Sequence, residues 1–147
     1  LQGNSLEIVA ELDPRGAPLV EVNVLRSPNK EEYTRIAFFR DRGYRERSAK
    51  GRQLSLITID TSYSSLLPDV RSRAPETAPV FLDRDEPLRL RVFVDRSVVE
   101  VFVNGRQCVA LRVYPGREDS LGVSLRAQGQ DAELRSLDAW QMKGIYD

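Results

Sequence analysis

Asp95 and Glu100 are separated by only four residues in the string Val94-Asp95-Arg96-Ser97-Val98-Val99-Glu100-Val101-Phe102. Two carboxyls held about 5 Å apart can cleave a glycosidic bond with retention, one as nucleophile and the other as acid and then base. Their setting favours a structural role. Asp95 falls in a turn and Glu100 within a run of large apolar residues, so both are expected to serve turn N–H groups and a charged or hydroxyl partner near a sheet edge. A carboxylate-dependent hydrolase is the sharper alternative. Histidine is absent from the chain, which excludes Ser-His-Asp and Cys-His nucleophile systems. With Cys108 as the single cysteine, a structural zinc site is excluded too, and no metal or cofactor is expected. Cys108 itself reads as a small buried apolar residue on a strand.

The aromatic residues offer a second chemistry. Phe93 and Phe102 have opposite-facing options and either could stack on a sugar ring, and Trp140 and Tyr146 near the end of the chain could do the same, although packing in a core or against another module is favoured because such side chains are mainly hydrophobic mass. Residues 40–52 are rich in Arg and Lys, but Asp41 and Glu46 dilute them, and a solvated hairpin tip is the simpler reading.

The elements that would position these groups are strands. Leu88, Leu90, Val92 and Val94 share one parity while Arg89 and Arg91 take the other, as in a strand with one face in a core. Asp95-Arg96-Ser97 and Asn104-Gly105 then supply turns, the second being a strong two-residue hairpin signal. Similar runs at residues 5–12, 19–25, 33–40, 54–60, 80–82, 107–114, 121–127 and 132–143 read as further strands. Residues 40–52 read as a long hairpin loop, and residues 64–79, with Pro68, Pro75 and Pro79, show no period. No stretch has a convincing helical period. The expectation is an all-β fold, a two-sheet antiparallel β-sandwich, in a single domain covering residues 1–147.

Apolar residues make up 41% and charged residues 30% of the chain, a globular balance. Lys plus Arg and Asp plus Glu are equal at 22 each, so no global field draws in nucleic acid or an anionic membrane. No run is long enough for a membrane-spanning helix. Secreted and cytoplasmic locations are both compatible.

The string from Val94 to Gly105 resembles the Asp-x-Ser-x-x-Glu-x-Phe signature in the C-terminal module of glycoside hydrolase family 32, the invertase, levanase and inulinase group. In this chain the signature residues are Asp95, Ser97, Glu100 and Phe102. Gly3-Asn4-Ser5-Leu6-Glu7-Ile8 is similar to that module's opening strand, and Leu137-Asp138-Ala139-Trp140-Gln141-Met142 to its closing one. One departure is Asp60-Thr61-Ser62-Tyr63-Ser64, where the family commonly has Asp-Arg before small hydroxyl residues. The resemblance implies a jelly-roll-like, concanavalin-like sandwich packed beside a catalytic propeller. The propeller's Asn-Asp-Pro, Arg-Asp-Pro and Glu-Cys strings do not occur in this sequence. It thus implies a non-catalytic accessory module whose partner is the propeller of a fructan- or sucrose-cleaving enzyme. It would stabilise that propeller and shape its pocket rim or a homodimer contact. An independent module binding oligosaccharide is the alternative.

Overall fold

The computed structural model describes residues 1–43 and 53–144. They form ten strands in chain order: β1 Ser5–Asp13, β2 Leu19–Arg26, β3 Thr34–Phe39, β4 Ser55–Asp60, β5 Glu76–Val80, β6 Leu88–Asp95, β7 Val98–Val103, β8 Gln107–Arg112, β9 Gly122–Gln128 and β10 Glu133–Gln141. Two five-stranded sheets result, ordered β10-β1-β6-β7-β8 and β5-β4-β3-β2-β9, with every pairing antiparallel. This is the expected β-sandwich, and no helix occurs among the described residues.

Alternation explains why the sheets face each other. In the first sheet Leu6, Ile8 and Ala10 of β1, Leu90 and Val92 of β6 and Val99 and Val101 of β7 are buried, each shedding almost all contact with water. They meet Val20, Val22, Ile36, Phe38, Ile57 and Ile59 from the second sheet in one core. Removing a Val, Leu, Ile or Phe side chain from water stabilises by roughly 1.5–3 kcal/mol, so this layer is the main source of cohesion.

The turns match their residues. Asn104 and Gly105 have φ of 50° and 65°, the left-handed pair that a tight hairpin between twisted strands requires. Asn104 also braces the start of β6: its Oδ1 accepts from the Arg89 N–H at 2.8 Å and its Nδ2 donates to the Pro87 carbonyl at 2.9 Å. Leu25 is buried with φ of 48°, at the irregularity where β2 leaves register with β9. A bulky residue in that region stores strain of about 1–3 kcal/mol.

Three expectations need correction. The strand expected at residues 80–82 is β5, Glu76–Val80, inside the stretch read as aperiodic. It is an edge strand that buries only its inward residues, and an edge tolerates Pro79 because no neighbour needs its missing N–H. β8 stops at Arg112, short of Tyr114. Cys108 is exposed rather than buried, because it takes the outward parity of β8, opposite Phe102, at a sheet edge. The expected hairpin tip at residues 40–52 lies largely outside the described residues.

Candidate functional site

The signature residues are laid out by the β6–β7 hairpin. Asp95 pairs with Val98 across the two-residue turn Arg96-Ser97, which sets Phe93 opposite Glu100 and Arg91 opposite Phe102. Asp95 and Glu100 are therefore diagonal neighbours on the outer face of the first sheet, a relationship that separates the residues by about 7–8 Å. Contrary to the expectation that they serve turn N–H groups and a charged or hydroxyl partner, neither carboxylate makes a hydrogen bond or ion pair among the described residues, because both side chains stand on the outer face toward water. Ser97 ties the turn to the next strand: its Oγ accepts from the Arg112 guanidinium at 3.3 Å and its carbonyl from the Val113 N–H at 2.9 Å.

That outer face gathers three of the aromatic candidates. Phe93, Phe102 and Trp140 line one shallow groove with Glu7, Val9 and Arg91. The two phenyl rings meet edge to face, their centroids 6.0 Å apart. Arg91 lies over Phe93 at 5.1 Å from the ring centre and donates from Nε to Glu7 at 2.7 Å. The guanidinium thus covers one face of the Phe93 ring. Trp140, 51% exposed, keeps its ring open. Tyr146 lies outside the described residues. Cys108 borders this face, and its thiol is pushed above the ordinary value, first by desolvation and then by the charge of Glu100, which makes it a poor nucleophile.

A second assembly was not legible in the sequence. Glu32, in the turn between β2 and β3, is 0% exposed. Its Oε2 accepts from the N–H groups of Leu66 and Gly116 at 2.7 and 2.8 Å, and its Oε1 from the Arg117 N–H at 2.9 Å and the Ser120 hydroxyl at 2.7 Å. One carboxylate thereby pins the β4–β5 and β8–β9 connections to the β2–β3 turn. Burial by itself would raise its pKa, but the donors outweigh it and hold Glu32 below the ordinary carboxylate value. Nothing in the sequence around Glu31-Glu32 marks a buried acid; only contacts from far along the chain reveal the clamp.

Among the described residues no cluster of His, Cys, Asp or Glu could hold a metal ion. The sequence matches the model of the family described as "Glycosyl hydrolases family 32 C terminal" over residues 1–141. The chain belongs to that family.

The relatives of this family 32 C-terminal domain agree. It is 36% identical over 124 residues to the beta-fructofuranosidase, insoluble isoenzyme CWINV1, of Arabidopsis thaliana, covering 81% of this chain and 20% of that protein. It is 31% identical over 126 residues to fructan 1-exohydrolase w3 of Triticum aestivum, covering 82% of this chain and again 20% of the relative. Its fold is that seen in fructan 1-exohydrolase IIa from Cichorium intybus, with a TM-score of 0.78 at 21% identity over 95% of this chain and 31% of that one. The family 32 C-terminal domain thus spans about a fifth of these curated relatives.

Proposed function

We propose that this domain is the non-catalytic accessory module of a β-fructosidase-type glycoside hydrolase, in which a separate propeller cleaves fructan or sucrose. The observation that carries the reading is the match to the family's C-terminal model over residues 1–141, set beside relatives of which it covers only 20%. The diagonal, solvent-facing placement of Asp95 and Glu100 supports it, since bond cleavage needs carboxyls converging on an enclosed substrate. The module's work is to stabilise the propeller and to shape its pocket rim or a dimer contact. The test is direct. The purified 147-residue chain releases no fructose from sucrose or inulin, and the gene upstream of Leu1 encodes an Asn-Asp-Pro string. Fructose release by this chain, abolished in Glu100→Gln, would overturn the reading.

Trp140 favours a second reading, an oligosaccharide site on the outer face of the first sheet. Titration calorimetry with inulin, levan and sucrose decides between them: heat that disappears in Trp140→Ala supports binding, and its absence at millimolar ligand leaves the accessory role alone.

A further inference from the structure

β2 is buried on both of its faces. Val20, Val22 and Val24 point into the core, but the outward residues are sheltered too: Leu19 is 9% exposed, Glu21 2% and Asn23 1%. An acid and an amide hidden on the outer face of a sheet call for an account, because burying polar groups is costly unless they are bonded. The register sorts this face into three cross-strand rows over β9, β2, β3 and β4. Gln128, Leu19, Phe39 and Leu56 form the first, Arg126, Glu21, Ala37 and Thr58 the second, and Ser124, Asn23, Arg35 and Asp60 the third.

The first two rows hold a groove of about 620 Å³ lined by Leu19, Phe39, Leu56, Thr58 and Gln128, with Arg42 at its rim. The small Ala37 side chain keeps the centre of the face low. Gln128 joins this groove to the polar rows, donating from Nε2 to Glu21 Oε1 at 2.7 Å.

Those polar rows are incompletely bonded. Arg35 and Arg126 reach the Glu21 carboxylate only at 4.0 Å, too far for a hydrogen bond. Arg35 donates to Asp60 at 3.4 Å and Asn23 Nδ2 to Ser124 Oγ at 3.4 Å, both long contacts. Asn23 Oδ1 and Arg35 Nε are buried with no hydrogen-bond partner among the described residues. An acceptor and a donor thus wait on directly opposed residues. Leaving such groups unmade costs stability that a ligand supplying the bonds would return.

The missing bonds describe the ligand. A hydroxyl donates and accepts at once, so it can give its proton to Asn23 Oδ1 and take one from Arg35 Nε. An anion would meet Glu21 and Asp60, and a cation Arg35 and Arg126, whereas a neutral polyol meets neither repulsion. Leu19, Phe39 and Leu56 supply apolar surface for carbon-bound faces, the usual complement to a few placed polar groups. We propose that the outer face of the second sheet is a binding groove for a neutral oligosaccharide, with Phe39 and Leu19 beneath its rings and Asn23, Glu21 and Arg35 on its hydroxyls. Leu19 to Asn23 spans roughly 14 Å of strand, room for more than one sugar ring. Arg35 and Arg126, with side chains 31% and 57% exposed, form the cover that a ligand displaces. This site lies on the sheet away from Trp140 and does not depend on the accessory role.

The test is a titration of the isotope-labelled 147-residue chain with cellotetraose, maltotetraose and an inulin tetrasaccharide, followed by NMR. With at least one of them the side-chain amides of Asn23 and Gln128 and the Arg35 Nε–H should shift together and saturate at millimolar ligand, while the Trp140 indole stays still. Gln128→Ala and Phe39→Ala should each weaken that binding by about tenfold, the scale of one lost contact to a buried group; if Phe39→Ala does not fold, Gln128→Ala at the sheet edge decides. Asn23 and Arg35 signals unmoved by all three sugars would overturn the site. So would shifts confined to Trp140, or wild-type affinity in Gln128→Ala. Equal binding of tetragalacturonate would overturn the neutral class. None of these outcomes bears on the accessory role.

Discussion

Glu32 and Ser120 are 88 residues apart in sequence, yet the hydroxyl of one donates to the carboxylate of the other at 2.7 Å. With the Leu66, Gly116 and Arg117 N–H groups on the same two oxygens, this is a buried anion balanced by donors rather than by a counter-charge.

Glu32→Ala removes all four acceptor contacts at once and leaves buried donors unpaired. The expected loss is about 3–5 kcal/mol, as for breaking a buried charged network by deleting one partner. Urea unfolding of the 147-residue chain reads it directly. Glu32→Gln should lose less, since one oxygen still accepts.

Acid sensitivity follows from the same group. The folded pKa of Glu32 lies below the ordinary value of 4.5, so the folded state binds its proton more weakly than the unfolded state. Its contribution is complete above pH 4.5 and disappears as pH falls through the folded value. Urea midpoints measured from neutral pH down to about 3 should fall more steeply in the wild type than in Glu32→Gln. Parallel slopes would contradict the assignment.

Gly105 has φ of 65° and open space where a Cβ would stand. Gly105→Ala should therefore cost about 1 kcal/mol through backbone conformation alone. A thermal scan showing no loss would mean the hairpin relaxes into another turn.

The outer-face carboxylates should matter little to the fold. Asp95→Asn and Glu100→Gln, each removing a group with no hydrogen bond among the described residues, are expected to stay within about 0.5 kcal/mol of wild type. Denaturant midpoints of the two variants check this. A loss several times larger would reveal a partner for the signature acids.

What the sequence discloses follows the range of the forces involved. The β6–β7–β8 meander is legible because alternation and turn residues act over a few positions. For Phe93 and Phe102 the sequence leaves opposite faces open; they share one face because the turn is the two-residue Arg96-Ser97, which sets Phe93 opposite Glu100 and Arg91 opposite Phe102. The exposure of Cys108 is not legible in the sequence, because strand membership says nothing of which parity points outward at an edge. β5 hid because an edge strand buries too few residues to show a period. Glu32 was beyond reach, as its partners lie 34 to 88 residues away and its own surroundings in sequence are those of a solvated turn.

Of the four edge strands β10, β8, β5 and β9, only β5 carries a proline, Pro79, a residue that hinders further strand addition. β10 holds Leu134, Leu137 and Trp140 in water. An unpaired edge with large apolar side chains is a template for strand addition, so any self-association at high concentration is expected at β10 before β5. Light scattering at rising concentration, suppressed by Leu137→Lys and unchanged by Thr77→Lys, is the expected signature of that one-sided stickiness.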